Sequence, residues 1–111
     1  MSRKIRPHSH YAQEAAILLG QMIRRARIER SMTAEELAER AGISRGLLRR
    51  IENGDLSCTL GAVFEVASIA GVRLFEADET AMRNTLGANT AVMALIPKAV
   101  RIPRVIPDDN F

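Results

Sequence analysis

The segment Thr33–Gly54 constrains this chain more than any other, because it carries two helix starts and two helix stops in close succession. Thr33 stands before Ala34-Glu35-Glu36, the order of a capping box. In that box the threonine hydroxyl accepts the amide of the third helical residue and the glutamate reaches back. Met32 and Leu37 flank the cap at the spacing of a hydrophobic staple. Leu37, Ala38 and Ala41 then mark an inward face, and Gly42 supplies the left-handed residue that ends a helix. Ser44 restarts the pattern as a second cap, stapled by Ile43 and Leu48. Leu48 and Ile51 point inward, and Asn53-Gly54 ends the run. The spacing predicts helices over 34–41 and 45–53 joined by a tight Gly42-Ile43-Ser44 turn. Two helices that cross steeply need a small side chain where they approach closest, and Ala38 meets that need.

The flanking segments read less sharply. Residues 1–10 have no apolar period and read as a flexible basic arm, residues 11–77 as one helical domain, 78–96 as an additional helix and 97–111 as an extended tail. Ala15, Leu19, Met22 and Ala26 recur at helical spacing, with Arg24, Arg25, Arg27 and Arg30 on the other side. Thr59 opens a further helix with Leu60, Val63, Ala67 and Ala70 inward and Gly71 as its stop. Val72-Arg73-Leu74-Phe75-Glu76 partly alternates, which predicts a short strand. Met82, Leu86, Met93 and Ile96 lie loosely on one helical face, although Gly87 and Asn89 weaken it and Pro97 ends it. Three of the four prolines (Pro97, Pro103, Pro107) lie in the tail, which therefore reads as extended.

At 111 residues one hydrophobic core can form and a second full domain cannot. No apolar run approaches the ~20 residues that span a bilayer, and no secretory signal follows the basic start. With a single cysteine, Cys58, no internal disulfide is available, and a cytoplasmic chain is expected. Charge is uneven. Residues 1–53 hold 11 basic and six acidic groups, a balance of +5, whereas residues 54–111 hold five and seven, a balance of −2. A basic half suggests a polyanion partner such as nucleic acid, and an arginine-rich solvated surface is the plainer alternative.

The residues Thr33-Ala34-Glu35-Glu36-Leu37-Ala38-Glu39-Arg40-Ala41-Gly42-Ile43-Ser44-Arg45-Gly46-Leu47-Leu48-Arg49-Arg50-Ile51-Glu52-Asn53-Gly54 resemble the helix-turn-helix of the Cro/CI-type, or Xre, DNA-binding family. The resemblance extends over residues 19–72. It implies an all-α, lambda-repressor-like fold of five-helix type, with the second and third helices as the reading motif. It also implies that Glu52 pairs with Arg27 of the first helix. A helix inserted in the major groove reads base edges with its first turns, so helix 45–53 is the candidate reader. Arg45, Arg49 and Arg50 carry donor forks that match guanine or phosphate, Gly46 permits close approach, and Leu47 is placed to touch a thymine methyl. Thr33 and Ser44, at the two helix starts, complete the expected DNA-binding set. The family often has glutamine where this chain has Ala34, so one phosphate clamp is missing. Gly46 also lowers the propensity of the reading helix.

Within the family, Thr59-Leu60, Val63-Phe64-Glu65-Val66-Ala67 and Val72-Arg73-Leu74-Phe75 most resemble HipB-type antitoxins. That resemblance implies a dimerisation strand at Val72–Phe75 and a homodimer on a palindromic operator. It further implies autorepression of the operon and binding to a HipA-like kinase toxin, with residence on the nucleoid. The tail ending in Phe111 either docks on that partner or frays. Arg3, Lys4 and Arg6 either enter a minor groove or form a disordered tail. His8 and His10 make half a metal site at best, and Cys58 reads as packing. No cofactor, metal or enzymatic activity is expected. Two alternatives stay open: a stand-alone Xre-type regulator without a toxin, and a protein-interaction scaffold whose helix-turn-helix does not bind DNA.

Overall fold

A computed structural model describes residues 7–76 and 78–100. Among these, five helices follow in order: α1 (His10–Glu29), α2 (Ala34–Ala41), α3 (Arg45–Glu52), α4 (Leu60–Ala70) and α5 (Glu79–Met93). The fold is all-α and lambda-repressor-like, as the sequence leads one to expect. The chain divides into two compact units between Leu74 and Phe75, the first holding α1–α4 and the second α5.

Local signals set the helix ends. Ser9 caps α1, its hydroxyl accepting the amide of Ala12 at 3.1 Å, so the helix opens well before the first periodic apolar residue. Ala12, Ala15 and Ala16 favour that extension, alanine having the highest intrinsic helix propensity. Both halves of the capping box form at α2: Glu36 N donates to Thr33 Oγ1 at 3.0 Å, and Thr33 N donates to Glu36 Oε1 at 2.8 Å. Gly42 ends α2 at φ 70°, where a side chain would be strained. Ser44 caps α3 and Thr59 caps α4.

One core joins the first four helices. Ile23 of α1, Leu37 and Ala38 of α2, Leu48 and Ile51 of α3, and Val66, Ala67 and Ala70 of α4 are all buried. Burial of each large aliphatic side chain contributes roughly 1.5–3 kcal/mol. Here α2 packs against α3 and α4, and α1 packs against the same two helices. Ala38 is 2% exposed, in keeping with its role at a close crossing. A close backbone-to-backbone approach lies at Gly20. A Cβ there would fall 2.5 Å from the carbonyl oxygen of Ile51 and 2.6 Å from that of Glu52. α1 therefore lies directly on the C-terminal backbone of α3.

The short strand expected at Val72–Glu76 is not formed: no strand occurs among the described residues. Val72 and Leu74 still pack against the core while Arg73 between them is exposed, so the alternation is real. A ladder needs a second strand for its amide and carbonyl groups, and the first unit offers none. In the second unit, Asp78 caps α5 by accepting the amide of Ala81 at 2.8 Å. No residue of α5 is buried, and Met82, Leu86 and Met93 are exposed. A helix of this length is marginal in water without packing. No helix among the described residues is long and apolar enough to cross a membrane.

Candidate nucleic-acid interface

Burial of Leu48 and Ile51 fixes the rotation of α3. With 3.6 residues per turn, the opposite face then presents Gly46, Arg49 and Arg50, with Arg45 at its edge. Arg45, Gly46 and Arg49 line one shallow hollow of about 370 Å³ together with Ala34 and Glu52. Arg45 and Arg49 are exposed and make no hydrogen bond or ion pair to any described residue. Two uncompensated guanidinium groups thus flank a glycine at the start of a capped helix, and Ala34 brings no polar group to the same hollow.

Gly46 has no steric reason within the monomer. A Cβ at that position would meet only Ser44 Oγ, at 3.9 Å. Gly46→Ala is therefore expected to stabilise the fold by up to about 1 kcal/mol through helix propensity, read as a higher urea midpoint. An unchanged or lower midpoint would mean that the glycine serves the folded monomer in some other way.

Arg50 is held differently. Its Nε donates to Asp55 Oδ2 at 3.0 Å and its Nη2 to Ser57 Oγ at 3.0 Å. Ser57 closes the network by donating to Asp55 Oδ1 from its hydroxyl at 2.7 Å and from its amide at 2.8 Å. These bonds from Ser57, followed by the bond from Arg50, depress the Asp55 carboxyl to about 2. Leu47 is half-buried and packed against the core, which limits what it can offer a thymine methyl. The Thr33 hydroxyl and amide are both engaged in the capping box, and the Ser44 hydroxyl accepts the amide of Leu47 at 3.0 Å. These two residues set the helix starts.

Behind α3 stands the ion pair that the resemblance implies. Arg27 Nε donates to Glu52 Oε2 at 2.8 Å and Nη2 to Oε1 at 3.2 Å, while Nη1 donates to the carbonyl of Met32 at 3.1 Å. The two side chains are only 11% and 8% exposed. The bidentate bond ties α1 to the end of α3, and the bond to Met32 ties it to the entry of α2, so that both together hold the arginine face in place.

Sequence reasoning missed four contributing residues. Gly20 reads as an ordinary interruption in an apolar helix, and only the crossing of α1 on α3 makes it necessary. Asp55 and Ser57 lie in the turn after α3, where an Asp two residues before a Ser is a recognisable side-chain turn signal. Arg30, grouped by sequence with the exposed basic face of α1, lies against Gly71 at the C-terminal end of α4, where the helix dipole favours a cation. No group of three or more His, Cys, Asp or Glu side chains among the described residues is placed to hold a metal. Cys58 is half-buried against the core. Arg3, Lys4, Arg6 and Phe111 lie outside the described residues.

Among curated proteins, none matches the chain. A family model described as Helix-turn-helix matches residues 23–76, just under half of the chain, from the buried Ile23 of α1 through α4 to Glu76. With the geometry of α2 and α3, this match makes residues 23–76 similar to the Cro/CI-type helix-turn-helix domains of DNA-binding regulators.

Proposed function

We propose that the protein is a sequence-specific transcriptional repressor that inserts α3 into the major groove of a palindromic operator. The supporting observation is the outward row Arg45, Gly46, Arg49 and Arg50, opposite the buried Leu48 and Ile51. Gly46, sterically open in the monomer, leaves room for a base edge or phosphate between the arginines. One short helix reaches only a few base pairs, so a homodimer on half-sites about 34 Å apart supplies the rest of the specificity. The decisive experiment is enrichment of duplexes from a random library, followed by binding of the Arg45→Ala, Arg50→Ala double variant. Each lost guanine contact removes roughly 1–3 kcal/mol of discrimination, so the double variant is expected to lose at least tenfold in operator preference. Full discrimination by that variant would remove α3 as the reader.

The finer reading is an antitoxin that represses its own operon and binds a HipA-like kinase toxin. It rests on the Thr59-capped start of α4 and on the alternating Val72–Leu74 segment, suited to pair with its copy in a dimer. Phe111 would anchor the tail on the partner. Stable co-purification with such a kinase, together with a dimeric mass in sedimentation, supports this reading. A monomer at micromolar concentration counts against it. The scaffold reading draws on Ala34, which brings no clamp, and on the engaged Thr33. It predicts that no duplex is enriched at any salt concentration.

A further inference from the structure

We propose that Asp55 and Ser57 are positioning residues that make Arg50 a base reader rather than a phosphate clamp. This inference rests on the DNA-binding reading above and deepens it.

A guanidinium has five N–H donors in a planar fork. In this structure Nε and one proton of Nη2 are consumed by Asp55 Oδ2 and Ser57 Oγ, both at 3.0 Å. What remains is the far edge, with donors on Nη1 and Nη2, pointing away from the turn. That edge is a two-pronged fork of the width that guanine O6 and N7 accept. Asp55 is itself fixed by two bonds from Ser57, so the fork cannot swivel without breaking a four-bond network. Fixing the fork in advance removes the rotamer entropy that a free arginine loses on binding.

Charge separates the two roles. A phosphate clamp works through net positive charge and the counterions it displaces. The carboxylate at 3.0 Å offsets the charge of Arg50, and it remains ionised throughout the neutral range because its own value is about 2. An oriented arginine whose charge is partly offset by a carboxylate is less suited to a phosphate and better suited to directional bonds with a base edge. Arg45 and Arg49, which have no such carboxylate among the described residues, keep their full charge for the backbone or for other bases.

Asp55→Asn is the informative variant. The amide oxygen can still accept both bonds from Ser57, so the turn persists, while the amide nitrogen turns a donor toward Nε of Arg50. The full-length chain and this variant are compared on the duplex that the wild type enriches, on every single-base-pair variant of it, and on unrelated DNA. Asp55→Asn is expected to weaken preference at one base pair per half-site by fivefold or more, and to bind unrelated DNA several-fold more tightly because a negative charge has gone. Arg50→Ala is expected to abolish preference at the same base pair, with little change in the slope of log affinity against log salt. Ser57→Ala should follow Asp55→Asn with a smaller effect. A merely structural role for Asp55 would lower operator and unrelated binding together, and that result overturns the proposal. So does Arg50→Ala retaining preference at every base pair, or lowering the salt slope by close to 0.9, the value of a lost phosphate contact. A wild-type chain that enriches no duplex refutes the DNA-binding reading itself, an outcome separate from these.

Discussion

Glu52→Ala is expected to destabilise the domain by about 3 kcal/mol or more, a drop in melting temperature on the order of 15 °C. The carboxylate is 8% exposed and receives two bonds from Arg27, which is itself 11% exposed. Truncation leaves a mostly buried guanidinium with only the Met32 carbonyl as partner. The loss reflects this stranded charge rather than the net worth of the pair, and a second variant separates the two. Arg27→Met combined with Glu52→Leu removes both charges and keeps most of the volume, so it should recover much of the lost stability. Thermal and urea unfolding measure both. A single variant within about 1 kcal/mol of wild type would show that water reaches Arg27 freely and that the pair does not brace α3.

Gly20→Ala should be strongly damaging for the addition of a single methyl group. The new Cβ would sit 2.5 to 2.8 Å from backbone atoms of Ile51 and Glu52, which no side-chain rotation relieves. α1 must lift off α3 by several tenths of an ångström. That shift would loosen the packing around Ile23 and lengthen the Arg27–Glu52 bonds at the same time. Overpacking of this kind costs roughly 1–3 kcal/mol and sometimes more, and backbone-against-backbone contact places Gly20 at the upper end. Gly46→Ala is the internal control: the same substitution on an exposed helical face is expected to have the opposite sign. Equal urea midpoints for the two variants would contradict the close crossing. Any Gly20→Ala chain that remains folded should bind DNA less tightly, since the carbonyls it displaces belong to α3, the helix proposed to enter the groove.

Much of the arrangement was legible because its causes are local. The capping box at Thr33, the stop at Gly42 and the cap at Ser44 each act within four residues, so they survive as pattern without any knowledge of the tertiary fold. The inward positions of Leu37, Leu48, Ile51 and Ala67 follow from helical period alone. The Arg27–Glu52 pair spans 25 positions, and only the family resemblance made it visible. The strand expected at Val72–Glu76 is not formed within the single chain, because alternation reports which side chains face a core and says nothing of whether a neighbouring strand is present. Leu47, expected at a thymine methyl, is half-buried because the rotation of α3 turns it partly toward the core.

The amino-acid order alone determined where α2, α3 and α4 begin and stop and which of their faces turn inward, because caps, staples and periodicity are short-range effects written in neighbouring residues. The tertiary structure decided that α1 rests on α3 through Gly20, that Arg50 is pinned by Asp55 and Ser57 while Arg45 and Arg49 stay unengaged, and that Arg30 covers the end of α4. Those outcomes depend on the approach of separate elements and on which donors remain after each guanidinium has found its partners, and neither quantity is a property of a run of residues.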